Sequence, residues 1–169
     1  MYVKHSTIFD LKAIKFEYFQ SAVVQKAEVS SCTMQGNARA LGKLGSIMTN
    51  KGKNLMSEEA WTEIHKNPKW EDFGQWPFGD NIRTHFTQGG FNYFTKLENM
   101  NEAEKNMYVN WEGYYGWFGY GGSIFQWNPE LKIGFAYVPT FLLFLEDMFN
   151  SRGSKLQKLV TECCKKSKQ

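Results

Sequence analysis

The stretch that most limits how this chain can fold runs from Ser123 to Val138. Ser123–Trp127 and Lys132–Val138 are rich in aromatic and β-branched residues, and between them stands Asn128-Pro129-Glu130. Those three are turn formers, with the proline ring presetting φ for the second turn position. The pattern predicts a β-hairpin. On its return strand Ile133, Phe135 and Tyr137 point one way and Gly134, Ala136 and Val138 the other. Both faces are therefore expected to be covered, and Pro139 closes the strand.

Immediately upstream, residues 116–127 interleave Gly116, Gly119, Gly121 and Gly122 with large aromatics. The smallest and the largest side chains in one stretch imply a tight buried corner of the backbone, or something that comes very close to it.

Helix signals surround this β region. Asn37 is a plausible N-cap for Ala38–Thr49, on which Leu41, Leu44, Gly45 and Met48 share one face; Lys51-Gly52 ends it. Ser57 caps a shorter helix with Glu58 and Glu59 in its first turn and Pro68 as its stop. A helix is expected around Leu11–Gln25, and an almost wholly apolar one over Phe141–Phe149. The last, Lys155 to about Lys165, opens on a Ser154/Gln157 capping box; its apolar stripe of Leu156, Leu159, Val160 and Cys163 is expected to face the core. Residues 68–86 read as an irregular aromatic loop, Thr87–Thr95 as a strand opened by Gly89-Gly90, and Asn99–Asn106 as a loop or a short helix. The sum is one α+β domain, an antiparallel β-sheet with flanking helices.

Composition narrows the function classes. A chain of 169 residues can bury one core, and its 17% aromatic content supplies much flat surface for it. The net charge is only +3, and the one dense basic cluster, Lys165, Lys166 and Lys168, suits a helix C-terminus, so no nucleic-acid partner is expected. Ile133–Leu145, the most apolar stretch, contains Pro139 and is too short to span a bilayer. Three cysteines, Cys32, Cys163 and Cys164, form no Cys-x-x-Cys pair, and no apolar leader opens the chain; reduced thiols in a soluble, cytoplasmic protein are the expectation. His5, His65 and His85 lack metal-ligand spacing, and neither a Walker loop nor a Gly-x-Gly-x-x-Gly is present, so no metal and no cofactor is expected.

Three segments in order carry a resemblance. Glu28–Leu44, followed by Leu55-Met-Ser-Glu-Glu59, is the first; Phe118-Gly-Tyr-Gly-Gly-Ser123 is the second; Ile124–Val138, with Asn-Pro-Glu and then Gly-Phe-Ala-Tyr-Val, is the third. Together they resemble the β-lactamase-related serine hydrolases: class C β-lactamases, penicillin-binding proteins and related esterases, with nematode-type members most similar. Ser151–Leu156 is similar to the start of that family's terminal helix. The likeness covers residues 28–166 and leaves 1–27 unassigned. It implies a partial serine β-lactamase-like (transpeptidase-like) fold, with Tyr120, Gly121, Gly122 and Ser123 as a vestigial third motif on the substrate-lining strand.

The family's chemistry needs a Ser-x-x-Lys nucleophile, in which the amine lies one helical turn from the hydroxyl it activates. No Ser or Thr in this chain has Lys three residues on. Tyr108-Val-Asn110 has the form of a second motif, but it follows the Asn37 helix, whereas the family's precedes it. The resemblance thus implies a C-terminal half without catalytic residues, a pseudoenzyme whose exposed sheet a second copy or a partner chain would cover. Two alternatives stand beside it: part of an active serine hydrolase whose N-terminal half is supplied elsewhere, and an unrelated aromatic-rich binding module with Trp70, Trp76, Trp111 and Trp117 on its surface.

Overall fold

The computed structural model describes residues 21–27, 35–72, 83–95, 98–108, 111–119, 121–140 and 151–167. The chain divides into two compact units, Met1–Gly36 and Asn37–Gln169. In the first, Ala22–Lys26 forms α1, capped by Ser21, whose hydroxyl accepts from the Val24 N–H. The rest of the helix expected from Leu11 lies outside the described residues, as does the one expected over Phe141–Phe149.

The second unit opens with two helices at the expected places. In α2 (Ala38–Thr49) the Asn37 side chain accepts from Ala40 N at 2.9 Å, satisfying one of the amides a helix start leaves bare. Lys51 and Gly52 then turn the chain out through positive φ. Ser57 does the same work for α3 (Glu58–His65), accepting from Ala60 N at 3.1 Å.

A six-stranded antiparallel sheet follows, its strands lying side by side in chain order: β1 (Lys69–Asp72), β2 (Arg83–Phe86), β3 (Asn92–Tyr93), β4 (Tyr115–Phe118), β5 (Ile124–Asn128) and β6 (Ile133–Tyr137). The hairpin read from the sequence is β5–β6, paired from Ile124 against Tyr137 to Asn128 against Ile133. Asn128 does more than stand in its turn: its side-chain oxygen accepts from Leu131 N at 2.8 Å.

Elsewhere the strands differ from expectation. Residues 68–86 are not one irregular loop, because β1 and β2 occupy their two ends and pair with each other. Nor is Thr87–Thr95 a single strand. Gly89 and Gly90 stand in the turn that joins β2 to β3, closed by Thr87 N to the Phe91 carbonyl at 2.9 Å. The polar segment after residue 99 resolves as a helix, α4 (Glu102–Tyr108). It is held by Glu104, only 1% exposed, which takes two hydrogen bonds from the Arg83 guanidinium, at 2.7 and 2.8 Å, and one from the Arg83 N–H at 2.9 Å. Those bonds keep the Glu104 carboxyl below its ordinary pKa.

Helices cover both faces of the β5–β6 hairpin. On one side α2 comes so close to β6 that a Cβ built on Gly45 would lie 3.0 Å from the Gly134 Cα, and one on Gly134 would collide with the backbone of Gly45 and Ser46. On the other side lies α5 (Arg152–Lys166), seated by Gly153 against Tyr137 and Ile124.

The start and the facing of α5 both correct the sequence reading. Its cap is Ser151, whose hydroxyl accepts from Ser154 N at 3.2 Å, so the helix begins before the expected capping box. Ser154 and Gln157 are buried instead. The expected apolar stripe faces outward, with Leu156 at 48% and Leu159 at 56% exposure and Cys163 exposed. The inward face is small and polar: Gln157 donates to the buried Gln126 side chain at 2.6 Å, and Thr161 shares a 2.7 Å bond with the buried Tyr114 hydroxyl. Close approach at Gly153 and these two bonds seat the polar face inward, with Gln126 Nε2 and Gln157 Oε1 left unbonded among the described residues.

Two measurements check these packings. Gly134→Ala puts a methyl into the α2 backbone and is expected to cost about 1–3 kcal/mol in urea unfolding. Gly42→Ala, at a helical position with nothing within 4 Å of the added carbon, should instead gain up to about 1 kcal/mol. A thiol reagent added to the native protein should modify Cys163 quickly; protection until unfolding would return that residue to the core.

Candidate functional site

The residues singled out from the sequence meet at the corner between β4 and β5. The Gly119 N–H donates to the Ser123 carbonyl at 2.7 Å and the Gly122 N–H to the Gly119 carbonyl at 3.0 Å. Gly121 and Gly122 have φ of +93° and +95°, a region nearly closed to other L-residues, and both are buried. Gly116 has a different task. It pairs across the ladder with Gln126, and a Cβ there would strike the Phe125 carbonyl. The small residues of this stretch thus let the chain turn back and two strands approach, and the large ones fill the faces on either side. Ile124 and Phe118 join the buried cluster with Phe94, Tyr108, Trp111 and Tyr114.

Of the four expected lining residues, Gly121, Gly122 and Ser123 come together at this corner, and Tyr120 lies outside the described residues. Ser123 is half-buried, and among the described residues no base is hydrogen-bonded to its hydroxyl. Without such a base a serine hydroxyl is a weak nucleophile. Tyr108, from the Tyr-x-Asn sequence, points its hydroxyl to the Arg83 carbonyl at 3.0 Å, and burial pushes its pKa well above the ordinary phenol value. That is the setting of a structural tyrosine. Its partner Asn110 lies outside the described residues.

Of the four tryptophans named for a stacking surface, Trp76 and the Trp70 side chain lie outside the described residues, and the other two do not come together on an exposed face. Trp111 is 1% exposed, in the core, and Trp117 is half-buried, packed against Phe118 at 4.7 Å and Phe86 at 5.6 Å between ring centres.

In the sequence His65 stands isolated, without metal-ligand spacing. In the structure it is the centre of an aromatic cluster that joins α3 to the sheet. Trp61, one helical turn earlier, stacks on its ring at 3.9 Å, Tyr115 meets it edge-on at 4.7 Å, and Phe91 and Trp127 each approach to 5.8 Å. Its Nδ1 lies 2.7 Å from the Trp61 carbonyl, and the buried Trp127 indole donates to its Nε2 at 3.0 Å. Burial holds its pKa below the ordinary histidine value. One signal for this was present, since Trp61-x-x-x-His65 puts two flat rings on one helical face.

Among the described residues no group of three or more His, Cys, Asp or Glu could hold a metal ion, and no helix is long and apolar enough to cross a membrane. A scan against protein-family models finds no match for the chain, and a search of curated proteins finds none either.

Gly122→Ala should cost roughly 1–3 kcal/mol through backbone strain at positive φ. Denaturant unfolding of the variant measures it, and an unchanged midpoint would mean the corner is not built this way.

Proposed function

We propose that this chain is a β-lactamase-related domain of partial transpeptidase-like fold that carries no nucleophile of its own and does not hydrolyse esters or β-lactams by itself. One observation carries the family reading: the segments that resemble the family fall on elements that touch one another. The first runs into α2 and α3, the second is the glycine corner, and the third is the β5–β6 hairpin. The terminal segment is the start of α5. In space α2 lies on one face of the hairpin and α5 meets β6 from the other, so residues far apart in sequence form one layered unit. The absence of hydrolysis rests on chemistry. No Ser or Thr has a lysine three residues on, and the hydroxyl at the glycine corner has no base beside it among the described residues.

The alternative, half of an active hydrolase completed by another polypeptide, draws support from α5. Its outward Leu156, Leu159 and Val160 form an apolar stripe that a second polypeptide could cover.

A fluorophosphonate probe and a chromogenic ester, applied to the purified chain, test the first reading. Neither a covalent adduct by mass spectrometry nor turnover above the uncatalysed rate is expected. A labelled serine would sink it. Transcript sequence upstream of Met1 separates the two readings, because an in-frame Ser-x-x-Lys there would favour the alternative.

A further inference from the structure

Both nitrogens of the His65 ring are held by groups of one polarity each. The Trp61 carbonyl can only accept, so the proton sits on Nδ1; the Trp127 indole can only donate, so Nε2 must offer its lone pair. The two bonds together admit one state, the neutral ring in its Nδ1–H tautomer. A second proton would set N–H against N–H across the 3.0 Å gap between His65 and Trp127.

We propose that His65 is an acid-released latch, which holds α3 to the aromatic face of the sheet while its ring is neutral and lets go of Trp127 when the ring takes up a proton.

The neighbouring contacts make this more than a local bond. Trp61 also donates through its indole to the Met48 carbonyl at 2.8 Å, tying α3 to α2. The turn between β2 and β3 is pinned to the end of α3 by Gly89 N to the Ile64 carbonyl at 2.9 Å and Gln88 N to the Lys66 carbonyl at 3.0 Å. Release of the ring therefore loosens α3 from β4 and β5, and with it the β2–β3 turn pinned to its end, while α2 keeps its own seat on the hairpin.

Among the described residues no countercharge faces the imidazolium. From β4 the ring faces Tyr115, whose pKa is pushed up to about 12 by burial, and behind it Tyr93 of β3 stacks at 4.4 Å. Trp127 faces it from β5, Phe91 from the turn, and Trp61 from α3 itself. Of the charged groups of α3, Glu63 pairs with Lys66 and Glu58 with Lys51 at the surface, and Glu59 is exposed there too. His85, 6.2 Å from the Tyr93 ring, is the second histidine near this face.

The direction in pH follows from linkage. The folded state prefers the unprotonated ring, so the latch contributes its full stability above the ordinary histidine value of 6.5. That contribution is lost as the pH falls from there through the lowered folded value. The Glu104 carboxylate, with a pKa below 4.5, titrates at lower pH and leaves this window to the histidines.

The test is a series of urea unfolding curves on the full chain from about pH 7.5 to about pH 5, followed by tryptophan fluorescence, with two-dimensional NMR of the histidine ring nitrogens and the Trp127 indole N–H. Near pH 7.5 the His65 signals should report the Nδ1–H tautomer. Below about pH 6.5 the folded-to-unfolded ratio should fall, by at most about tenfold per pH unit for one proton, and the indole resonance should move with the same midpoint. His65→Phe should remove the part of this pH dependence that moves with the Trp127 indole and leave only what the lowered pKa of His85 contributes. His85→Gln should keep the part that moves with the indole. If His65→Phe does not fold, the NMR of the unmodified protein decides. An Nε2–H tautomer, a flat stability profile, His65 titrating with no change at the Trp127 indole, or the slope surviving undiminished in His65→Phe or vanishing in His85→Gln would each overturn the latch.

Discussion

Much of this fold depends on two backbones meeting with no side chain between them. Gly45 of α2 and Gly134 of β6 face each other so closely that a methyl group on either would crowd the other's main chain. Helices usually pack on sheets through interleaved side chains, which hold the two layers about 10 Å apart. Here the contact is narrower, and it fixes where α2 sits along the hairpin. Trp61 reaches the Met48 carbonyl at the end of α2, and His65 of the same helix, α3, reaches Trp127 on β5. The aromatic cluster can close only because the α2 layer lies that low.

The two faces of the β5–β6 hairpin show what sequence patterning reads well and what it misses. The alternation along β6 told correctly that both sides are covered, since Gly134 meets α2 while Tyr137 meets Gly153 of α5. The caps at Asn37 and Ser57 were equally legible, because a cap is a local bargain between one side chain and nearby amides. The facing of α5 was not legible. A helix with Leu156, Leu159 and Val160 on one stripe and Gly153, Ser154, Gln157 and Thr161 on another is expected to bury the first. It buries the second, where Gly153 admits close approach and Gln157 and Thr161 bond to Gln126 and Tyr114, although Gln126 Nε2 and Gln157 Oε1 stay unmatched among the described residues. An unmatched buried polar group costs about 1–3 kcal/mol, comparable to burying a leucine. Which stripe wins depends on what the sheet presents, and that is a tertiary fact.

The glycine corner at 116–123 was found by composition alone, yet its explanation is internal to the fold. Positive φ at Gly121 and Gly122, and the cross-strand approach at Gly116, account for the small residues with no ligand present. Such a corner is also compatible with a strand that lines a catalytic cleft, as in the proposed family, because a glycine backbone admits close approach from either side. Among the described residues no base is hydrogen-bonded to the Ser123 hydroxyl, and the Tyr108 hydroxyl donates to the Arg83 carbonyl.

His65 shows why isolation in sequence is a poor guide to isolation in space. A search for metal or catalytic spacing discards a lone histidine, because its partners are not other ionisable residues. Its partners are a carbonyl of its own helix and an indole 62 positions later in the chain. Those bonds use both nitrogens of the neutral ring and leave none for a ligand. The same saturation that disqualifies His65 as a metal ligand or general base makes its protonation incompatible with the packed state. A ring that bonds through one nitrogen can take a proton on the other at little cost; a ring held as donor and acceptor at once, inside a shell of aromatics, cannot.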